Sequence, residues 1–196
     1  MIVADIEATG LDPRKHSILS IGAIEFEHPE RIFYGECRVW DGASIMSDAL
    51  AVNGFTKQEC IDPKKHSLEE LMRNFMHWIE QCEDKTLAGQ NPSFDRDFLN
   101  DSFARAHIGW HFSYRTLDLN SMVYLDATRR GIPIPRKNDR ADFSLDTILG
   151  YLGLPAEPKP HIGINGAKYE AEAFSRLLYG KNLLPEFAEF PIVHAV

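Results

Sequence analysis

The stretch Asp5-Ile6-Glu7-Ala8-Thr9-Gly10-Leu11 places two acids in a segment, residues 1–8, whose apolar residues predict a β-strand. Residues two apart in a strand project from the same face, so Asp5 and Glu7 should lie side by side. Neighbouring carboxylates repel each other, and burial adds to that cost. A divalent cation such as Mg²⁺ or Mn²⁺, which prefers oxygen ligands, would offset both penalties. An exposed edge strand with two solvated acids is the alternative, but the three apolar residues before Asp5 favour an interior strand.

A third acid occurs at the start of a predicted helix. The segment Asn91-Pro92-Ser93-Phe94-Asp95 follows a short apolar strand at residues 86–89. Asp95 falls in the first helical turn, where the helix dipole favours an acid, and that preference alone would explain it. Phe98 and Leu99 would anchor this helix and hold Asp95 in a fixed position.

His161 follows two prolines and precedes a helix predicted over residues 167–178. A lone histidine in such a place is commonly a surface or capping residue. It gains meaning beside three acids, because phosphoryl hydrolysis needs a base that takes a proton from water.

In this order the three segments resemble the DEDD exonuclease superfamily, in its DnaQ-like, histidine-containing (DEDDh) branch. The similarity spans about residues 1–180 and includes residues 49–56, Asp118 and the segment at 144–146. The resemblance implies an α/β fold of the RNase H-like kind, with a mixed β-sheet flanked by α-helices. Because no repeat or linker divides the chain, we expect a single exonuclease domain over residues 1–196, with a tail at 185–196 that has no clear periodicity.

The resemblance implies a 3′→5′ exonuclease that hydrolyses single-stranded RNA or DNA ends to nucleoside 5′-monophosphates with two divalent cations, Mg²⁺ or Mn²⁺. Metal binding would fall to Asp5, Glu7 and Asp95. Glu7 would also orient the attacking water, and His161 would act as general base. The implied substrate-binding residues are Ala8, Thr9, Gly10, Asn91 and Phe94.

The third motif of the family has an aspartate five residues after its histidine, where this chain has Gly166. Glu170, one helical turn further along, could reach back to the metal, although an ordinary solvated glutamate is the simpler interpretation. Otherwise water fills the position and weakens the enzyme, or the chain is an inactive nuclease-fold protein that binds nucleic acid. We predict that Gly166→Asp raises activity and tightens metal binding, unless Glu170 already has that role.

The remaining sequence bounds the function. A net charge of −8 argues against coating nucleic acid, and three cysteines without a CxxC pair predict neither a zinc knuckle nor disulfides. Asp5 and Glu7 stand where a signal peptide would be apolar, so we expect a cytoplasmic protein. A phosphatase using the same carboxylates is a further alternative. The tail would pack on the domain or on a second copy, which would make a homodimer.

The pattern also predicts the main helices and strands. A Ser67–Glu70 capping box should begin one helix, and Pro29 should mark the turn between two strands. Five basic residues fall in a proline-bearing loop at 129–142, either bordering the substrate or solvated: Arg129, Arg130, Arg136, Lys137 and Arg140. The other predicted strands cover residues 17–26 and 31–39, and the other predicted helices cover 93–106, 117–126 and 144–152.

Overall fold

A computed structural model of the protein describes residues 1–193. The strands are β1 (Ile2–Ala8), β2 (Ile18–Glu25), β3 (His28–Glu36), β4 (Leu87–Gly89), β5 (Thr116–Asp118), β6 (Arg136–Lys137) and β7 (Arg140–Ala141). The helices are α1 (Ser47–Asn53), α2 (Lys57–Cys60), α3 (Leu68–Glu80), α4 (Pro92–Arg105), α5 (Leu119–Arg130), α6 (Leu145–Tyr151) and α7 (Gly163–Tyr179). No helix within residues 1–193 is both long and apolar enough to cross a bilayer.

Five strands form one mixed sheet in the order β3-β2-β1-β4-β5. The first three strands along the chain pair antiparallel, and β4 and β5 then join β1 in parallel. Helices cover both faces, so the predicted mixed sheet flanked by helices is confirmed. The strand β1 lies in the centre, as the apolar residues before Asp5 predicted.

The side chains of β1 alternate between two cores. Ile2, Ala4 and Ile6 pack with α3 and α4 in one apolar cluster, whereas Val3 packs with α5, α6 and α7 in another. Because successive side chains of a strand point to opposite faces, Asp5 and Glu7 continue the row of Val3. Both acids therefore face the side of the sheet on which α7 lies.

The sheet opens between β1 and β4, because β4 has three residues and its pairing with β1 covers only Ile2 and Val3. Beyond Gly89 the chain leaves the sheet to begin α4. The backbone N–H of Ile6 consequently has no partner on β4, and it donates instead to Oδ1 of Asp95 at 3.1 Å. A carboxylate of α4 thus completes the hydrogen bonding of the central strand.

The first turn of α7 lies directly on the sheet. A Cβ atom at Gly163 would come within 2.8 Å of the Asp5 carbonyl oxygen and 3.0 Å of the Gly22 nitrogen. Only glycine permits such close contact between the helix and the strands. The helix begins four residues before the predicted start at Ala167, so Gly166 lies inside its first turn and directly above β1.

Two predicted turns differ in the structure. Pro29 lies within β3 and not at the turn, which falls at residues 26–27. Proline is tolerated there because β3 is an edge strand, where a missing N–H breaks no ladder. The basic segment at 129–142 is not a plain loop but contains the β6–β7 hairpin, turned by Asn138 and Asp139 with φ angles of 50° and 61°.

Among the other helices, one predicted feature is confirmed, one predicted start is wrong and two helices were not predicted. The Ser67–Glu70 capping box is confirmed at the start of α3. The helix predicted from residue 117 starts at Leu119, because residues 116–118 pair with β4 as β5. The short helices α1 and α2 were not predicted.

The segment after α7 packs on its own domain through Arg176, which is 1% exposed. The guanidinium pairs with Glu172 at 2.9 Å and donates to backbone oxygens that include those of Phe190 and Pro191, each at 3.0 Å. The suggested homodimer is therefore not supported, because the described part of the tail is already engaged within the chain. Residues 194–196 of the predicted tail lie outside the described residues.

We expect Arg176→Met to destabilise the fold strongly, since it leaves the Glu172 carboxylate and several carbonyls buried without their donor. Removing one partner of a buried ion pair typically costs about 3–5 kcal/mol. Urea unfolding would measure the loss, with Arg73→Met as control because Arg73 pairs with Glu69 on the exposed face of α3. Equal, small effects of the two variants would contradict a structural role for Arg176.

Candidate active site

The carboxyl groups of Asp5 and Glu7 lie side by side on β1, with Asp5 half-buried and Glu7 8% exposed. Burial raises the pKa of Glu7 to about 8, helped by the charges of Glu157 and Asp95, although a hydrogen bond with Asn53 opposes the shift. The pKa of Asp5 is raised well above its usual value by burial and then by neighbouring carboxylates. The structure thus brings the first predicted pair into one enclosed acidic environment.

Asp95 is buried at the start of α4, where its hydrogen bond from Ile6 fixes the carboxylate beside β1. Burial raises its pKa to about 7 even though hydrogen bonds from the backbone of Ile6 and of Asp95 itself oppose this. The preference of a helix start for an acid does not explain an acid that is buried against another strand. Asp95 therefore belongs to the same environment as Asp5 and Glu7.

Gly166 faces Asp5 across the gap between α7 and β1. A Cβ atom at position 166 would lie against the Asp5 carboxylate, 2.7 Å from its Cγ atom. The position that the resemblance assigns to a fourth acid is thus beside the first acid. For Gly166→Asp to raise activity as predicted, the Asp5 side chain must first rotate out of that space.

Glu170 is 3% exposed, so its interpretation as a solvated helix glutamate is wrong. Its side chain lies under α7 against Gly89, at the open seam between β1 and β4. Its pKa is raised well above the usual value by burial first and by the charge of Asp95 next, while a hydrogen bond from the Gln90 backbone lowers it. The sequence suggested an exposed Glu170 side chain, because the spacing of residues along a helix does not show how deeply the helix is buried.

His161 lies before α7 with its ring 31% exposed, and its Nδ1 atom is 3.4 Å from Oε2 of Glu157. Glu157 is buried, and burial together with the charge of Asp146 raises its pKa to about 7. Its charge also acts on Glu7. The sequence interpretation missed Glu157, and no periodic signal marks it, because it belongs to an irregular segment between α6 and α7.

Residues 49–56 connect the first and third motifs. The side-chain amide of Asn53 donates to the carbonyl of Ala8 at 3.1 Å, and the carbonyl of Val52 accepts from the backbone N–H of His161 at 3.2 Å. Asn53 also hydrogen-bonds Glu7. The segment therefore holds the predicted base in a fixed relation to the end of β1.

The predicted substrate-binding residues divide into two groups. Ala8, Thr9 and Gly10 are buried, and the Thr9 hydroxyl already donates to the Ser44 carbonyl at 2.7 Å and accepts from the Ser17 N–H. Asn91 is exposed, and Phe94 is half-buried and packs on Phe98. Substrate contact stays a prediction for all five, but the Thr9 side chain is better explained as support for the turn after β1.

The charges that act most strongly on Asp5, Glu7 and Glu170 are those of other carboxylates, and Asp95 is one of them. Such a group suits cations bound through oxygen. In the present side-chain conformations, however, no three His, Cys, Asp or Glu side chains of residues 1–193 come close enough to hold a metal ion. In these conformations Asp5, Glu7 and Asp95 do not form a ligand set together, and binding a cation requires their side chains to move.

Comparison with known proteins places this site in a family. A family profile described as 3′-5′ exoribonuclease Rv2179c-like domain matches residues 1–144, which include Asp5, Glu7 and Asp95. The chain belongs to this exoribonuclease family. The match ends before His161, so the Rv2179c-like family assignment rests on the first two motifs and leaves the third motif untested.

Individual proteins are also similar in sequence to this Rv2179c-like chain. The 3′-5′ DNA exonuclease Cap18 of Escherichia coli is 27% identical over 183 residues, covering 88% of each chain. DNA polymerase III PolC-type of Thermotoga maritima is 25% identical over 177 residues, which are 90% of this chain and 12% of the polymerase. The chain thus spans only a small part of the polymerases that it matches.

Solved structures confirm the RNase H-like exonuclease fold. E. coli Exonuclease I in complex with a dT13 oligonucleotide superposes with a TM-score of 0.71 at 18% identity, covering 89% of this chain and 40% of that one. The nuclease domain of 3′hExo, a DEDDh family member bound to rAMP, gives a TM-score of 0.68 at 16% identity and covers 100% and 96%. At 18% and 16% identity, these solved structures establish the fold of this chain but not its substrate.

We expect the metal-free protein to lose stability as the pH rises from about 4.5 to about 8. The folded-state pKa values of Glu7, Asp95 and Glu157 rise to about 8, 7 and 7 from ordinary values of 4.5, 3.8 and 4.5. In this window the folded state binds more protons than the unfolded state, so the free energy of unfolding falls with pH. Melting temperatures in EDTA would measure the fall.

Two comparisons sharpen that measurement. Glu7→Gln should flatten the fall, because it removes the carboxyl whose pKa is raised to about 8. Added Mn²⁺ should also reduce it, since a cation stabilises the ionised carboxylates. A melting temperature in EDTA that stays level or rises across this window would contradict the electrostatic description of the site.

Proposed function

We propose that the chain is a metal-dependent 3′→5′ exonuclease that releases nucleoside 5′-monophosphates from single-stranded nucleic acid. One observation carries the proposal: carboxylates from β1, α4 and α7 are gathered in one buried region, where the charge of Asp95 and its neighbours raises the pKa values of Asp5 and Glu170. Such mutual repulsion destabilises a protein unless cations offset it. Membership in an exoribonuclease family favours RNA as the substrate, and a cytoplasmic location stays a prediction.

The donor set fits divalent cations. Asp5, Glu7 and Asp95 offer only oxygen atoms, which suit Mg²⁺ and Mn²⁺, and no cysteine belongs to the set. When bound, two such cations would supply positive charge that stabilises the attacking and leaving oxygens of the phosphodiester. Asp5, Glu7 and Asp95 would hold these cations, and Asp5 would be common to both, since the charges of Asp95 and Glu7 both act on it.

His161 would take a proton from the attacking water. Its Nδ1 atom faces the Glu157 carboxyl at 3.4 Å, so Nε2 is the nitrogen that would accept the proton. A carboxyl group on the other ring nitrogen orients the imidazole and stabilises the imidazolium that forms, as in other histidine bases. Glu7 would help to orient the water. Glu157 would therefore act as a positioning residue for the base.

The substrate strand would meet the basic hairpin. Arg136, Lys137 and Arg140 are exposed on β6 and β7, where they can contact phosphates. The hairpin leads into Phe143, whose carbonyl accepts a hydrogen bond of 2.9 Å from Gln90. Gln90 follows β4 directly, so this bond ties the end of the basic segment to the edge of the acidic site.

A weakened or inactive nuclease-fold protein that binds nucleic acid remains the second candidate, and Gly166 is the observation that favours it. Without a carboxylate at position 166, one ligand of the family pattern is missing. Asp5, Glu7, Asp95 and His161 all remain in place, which weighs against complete loss of turnover.

Incubation of a 3′-labelled single-stranded oligoribonucleotide with the protein and Mn²⁺ tests the main proposal. We expect labelled nucleoside 5′-monophosphate, and slower release from a DNA strand of the same sequence. Asp5→Asn should lower the rate by at least about 100-fold, because small errors in positioning already cost that much. Binding of the strand without release of mononucleotide would support the inactive protein instead.

His161→Ala should lower kcat by about 10²–10⁴-fold, the usual contribution of a general base. Mn²⁺ affinity should change little, since the proposed ligands are carboxylates. His77→Ala is a matched control, because His77 lies exposed on α3. An unchanged kcat in His161→Ala, or a loss equal to that of the control, would exclude His161 as the base.

A further inference from the structure

We propose that Glu170 supplies the fourth carboxylate of the cation site, in place of the acidic residue that is absent at position 166. This inference rests on the proposed function, since it concerns the same cations. It goes beyond the family pattern, which places that carboxylate one helical turn earlier and on a different residue.

The geometry of α7 allows the exchange. Residues four apart on a helix lie on the same face, so Gly166 and Glu170 both face the sheet. Gly166 lies against Asp5, and Glu170 lies against Gly89 at the end of β4. A glutamate has one more methylene group than an aspartate, and it lies one turn further along the helix. Its carboxylate can therefore reach the seam that Asp5 and Asp95 border.

Gly89 makes room for this carboxylate. A Cβ atom at position 89 would be 3.1 Å from Oε2 of Glu170 and 3.2 Å from the carbonyl of Ala4. Any larger residue would press the carboxylate away from the seam. Oε2 is fully buried and has no hydrogen-bond partner among residues 1–193.

Two other buried glutamates show how this fold treats a structural carboxylate. Glu25 accepts hydrogen bonds from Arg31 at 2.9 Å and from the Glu83 N–H at 2.8 Å. Glu172 pairs with Arg176 and accepts from two further backbone N–H groups. Each has a cation and at least one backbone donor, as the cost of burying a charge requires.

Among residues 1–193, no such cation pairs with Glu170. The charges that act on it most strongly are those of Asp95, Glu157 and Asp118, which are all negative. In turn, Glu170 is the charge that acts most strongly on Asp5. A buried carboxylate with negative neighbours and an oxygen without a donor is expensive to maintain, and a divalent cation shared with Asp5 and Asp95 would satisfy it.

The absence of a side chain at position 166 goes together with the carboxylate at position 170. In the metal-free chain the Asp5 carboxylate occupies the space that a side chain at 166 would fill. An acid at both 166 and 170 would place a further negative charge beside Asp5. The pair of Gly166 and Glu170 keeps the number of carboxylates at four while it moves the fourth to the seam.

Isothermal titration of Mn²⁺ into wild-type protein and Glu170→Gln tests the inference. We expect at least about tenfold weaker Mn²⁺ affinity, because even residues that only support metal ligands contribute 10–100-fold. Glu69→Gln, which removes an exposed helix glutamate remote from the site, should leave the affinity unchanged. Equal affinities of wild type and Glu170→Gln would overturn the inference.

Melting temperatures without metal separate ligation from a structural role. Glu170→Gln should melt at or above the wild-type temperature in EDTA, because it removes a buried carboxyl group whose Oε2 has no hydrogen-bond partner among residues 1–193, and its stabilisation by Mn²⁺ should shrink. Glu172→Gln should show the opposite: a lower melting temperature in EDTA and an unchanged Mn²⁺ affinity. A Glu170→Gln variant that melts lower in EDTA, or fails to fold, would show a structural role and overturn the inference.

Different results would refute the proposed function and the role of Glu170. Wild-type protein that neither binds Mn²⁺ nor releases mononucleotide would refute the proposed function itself. Wild-type protein that does both, with Glu170→Gln unaffected, would refute only the role of Glu170.

Discussion

The hydrogen bond between the Ile6 N–H and the Asp95 carboxylate is the interaction on which the site depends. It forms because β4 is too short to pair with the second half of β1, which leaves a central strand with an open edge. A backbone donor in a buried position needs a partner. By providing one, Asp95 fixes the start of α4 against β1 and brings an acid from a distant part of the chain to the first acidic pair.

The fold separates its buried carboxylates into two kinds. Glu25 and Glu172 are compensated by arginines and backbone donors, and they hold elements together. Glu7, Glu157 and Glu170 are also buried but lie among like charges. Burying carboxylates of the second kind together destabilises the fold, and the rest of the structure must offset that loss, as is usual where a site must be ready for a charged ligand. The separation identifies the site without reference to any relative.

The sequence predicted the parts of the site that depend on local periodicity. The spacing of Asp5 and Glu7 in an apolar segment gave their common face, and the position of Asp95 at a helix start gave its location. The contact of Glu157 with His161 was not predicted, because no periodic pattern marks the irregular segment that contains both residues. The depth of Glu170 was not predictable, because it depends on how α7 approaches the sheet at Gly22 and Gly163. That approach joins residues far apart in the chain, which no local pattern records.

The same limit explains the errors in the elements. Pro29 is a turn residue by local preference, but an edge strand accepts it. The positive φ angles of Asn138 and Asp139 belong to a tight hairpin turn, a signal that the surrounding prolines and charges concealed. Residues 117 and 118 were assigned to a helix because their pairing with β4 is parallel and depends on residues about thirty positions earlier.

The buried guanidinium of Arg176 has a consequence for the order in which the newly made chain matures. It lies on the helix that carries Gly166 and Glu170, yet its acceptors include the carbonyls of Phe187, Phe190 and Pro191. During synthesis the sheet and the first acids are made well before these acceptors. Until the segment at 185–191 has been made, α7 carries a cation without its full set of partners. The helix above the acids therefore reaches its full set of contacts only after the segment at 185–191 has been made.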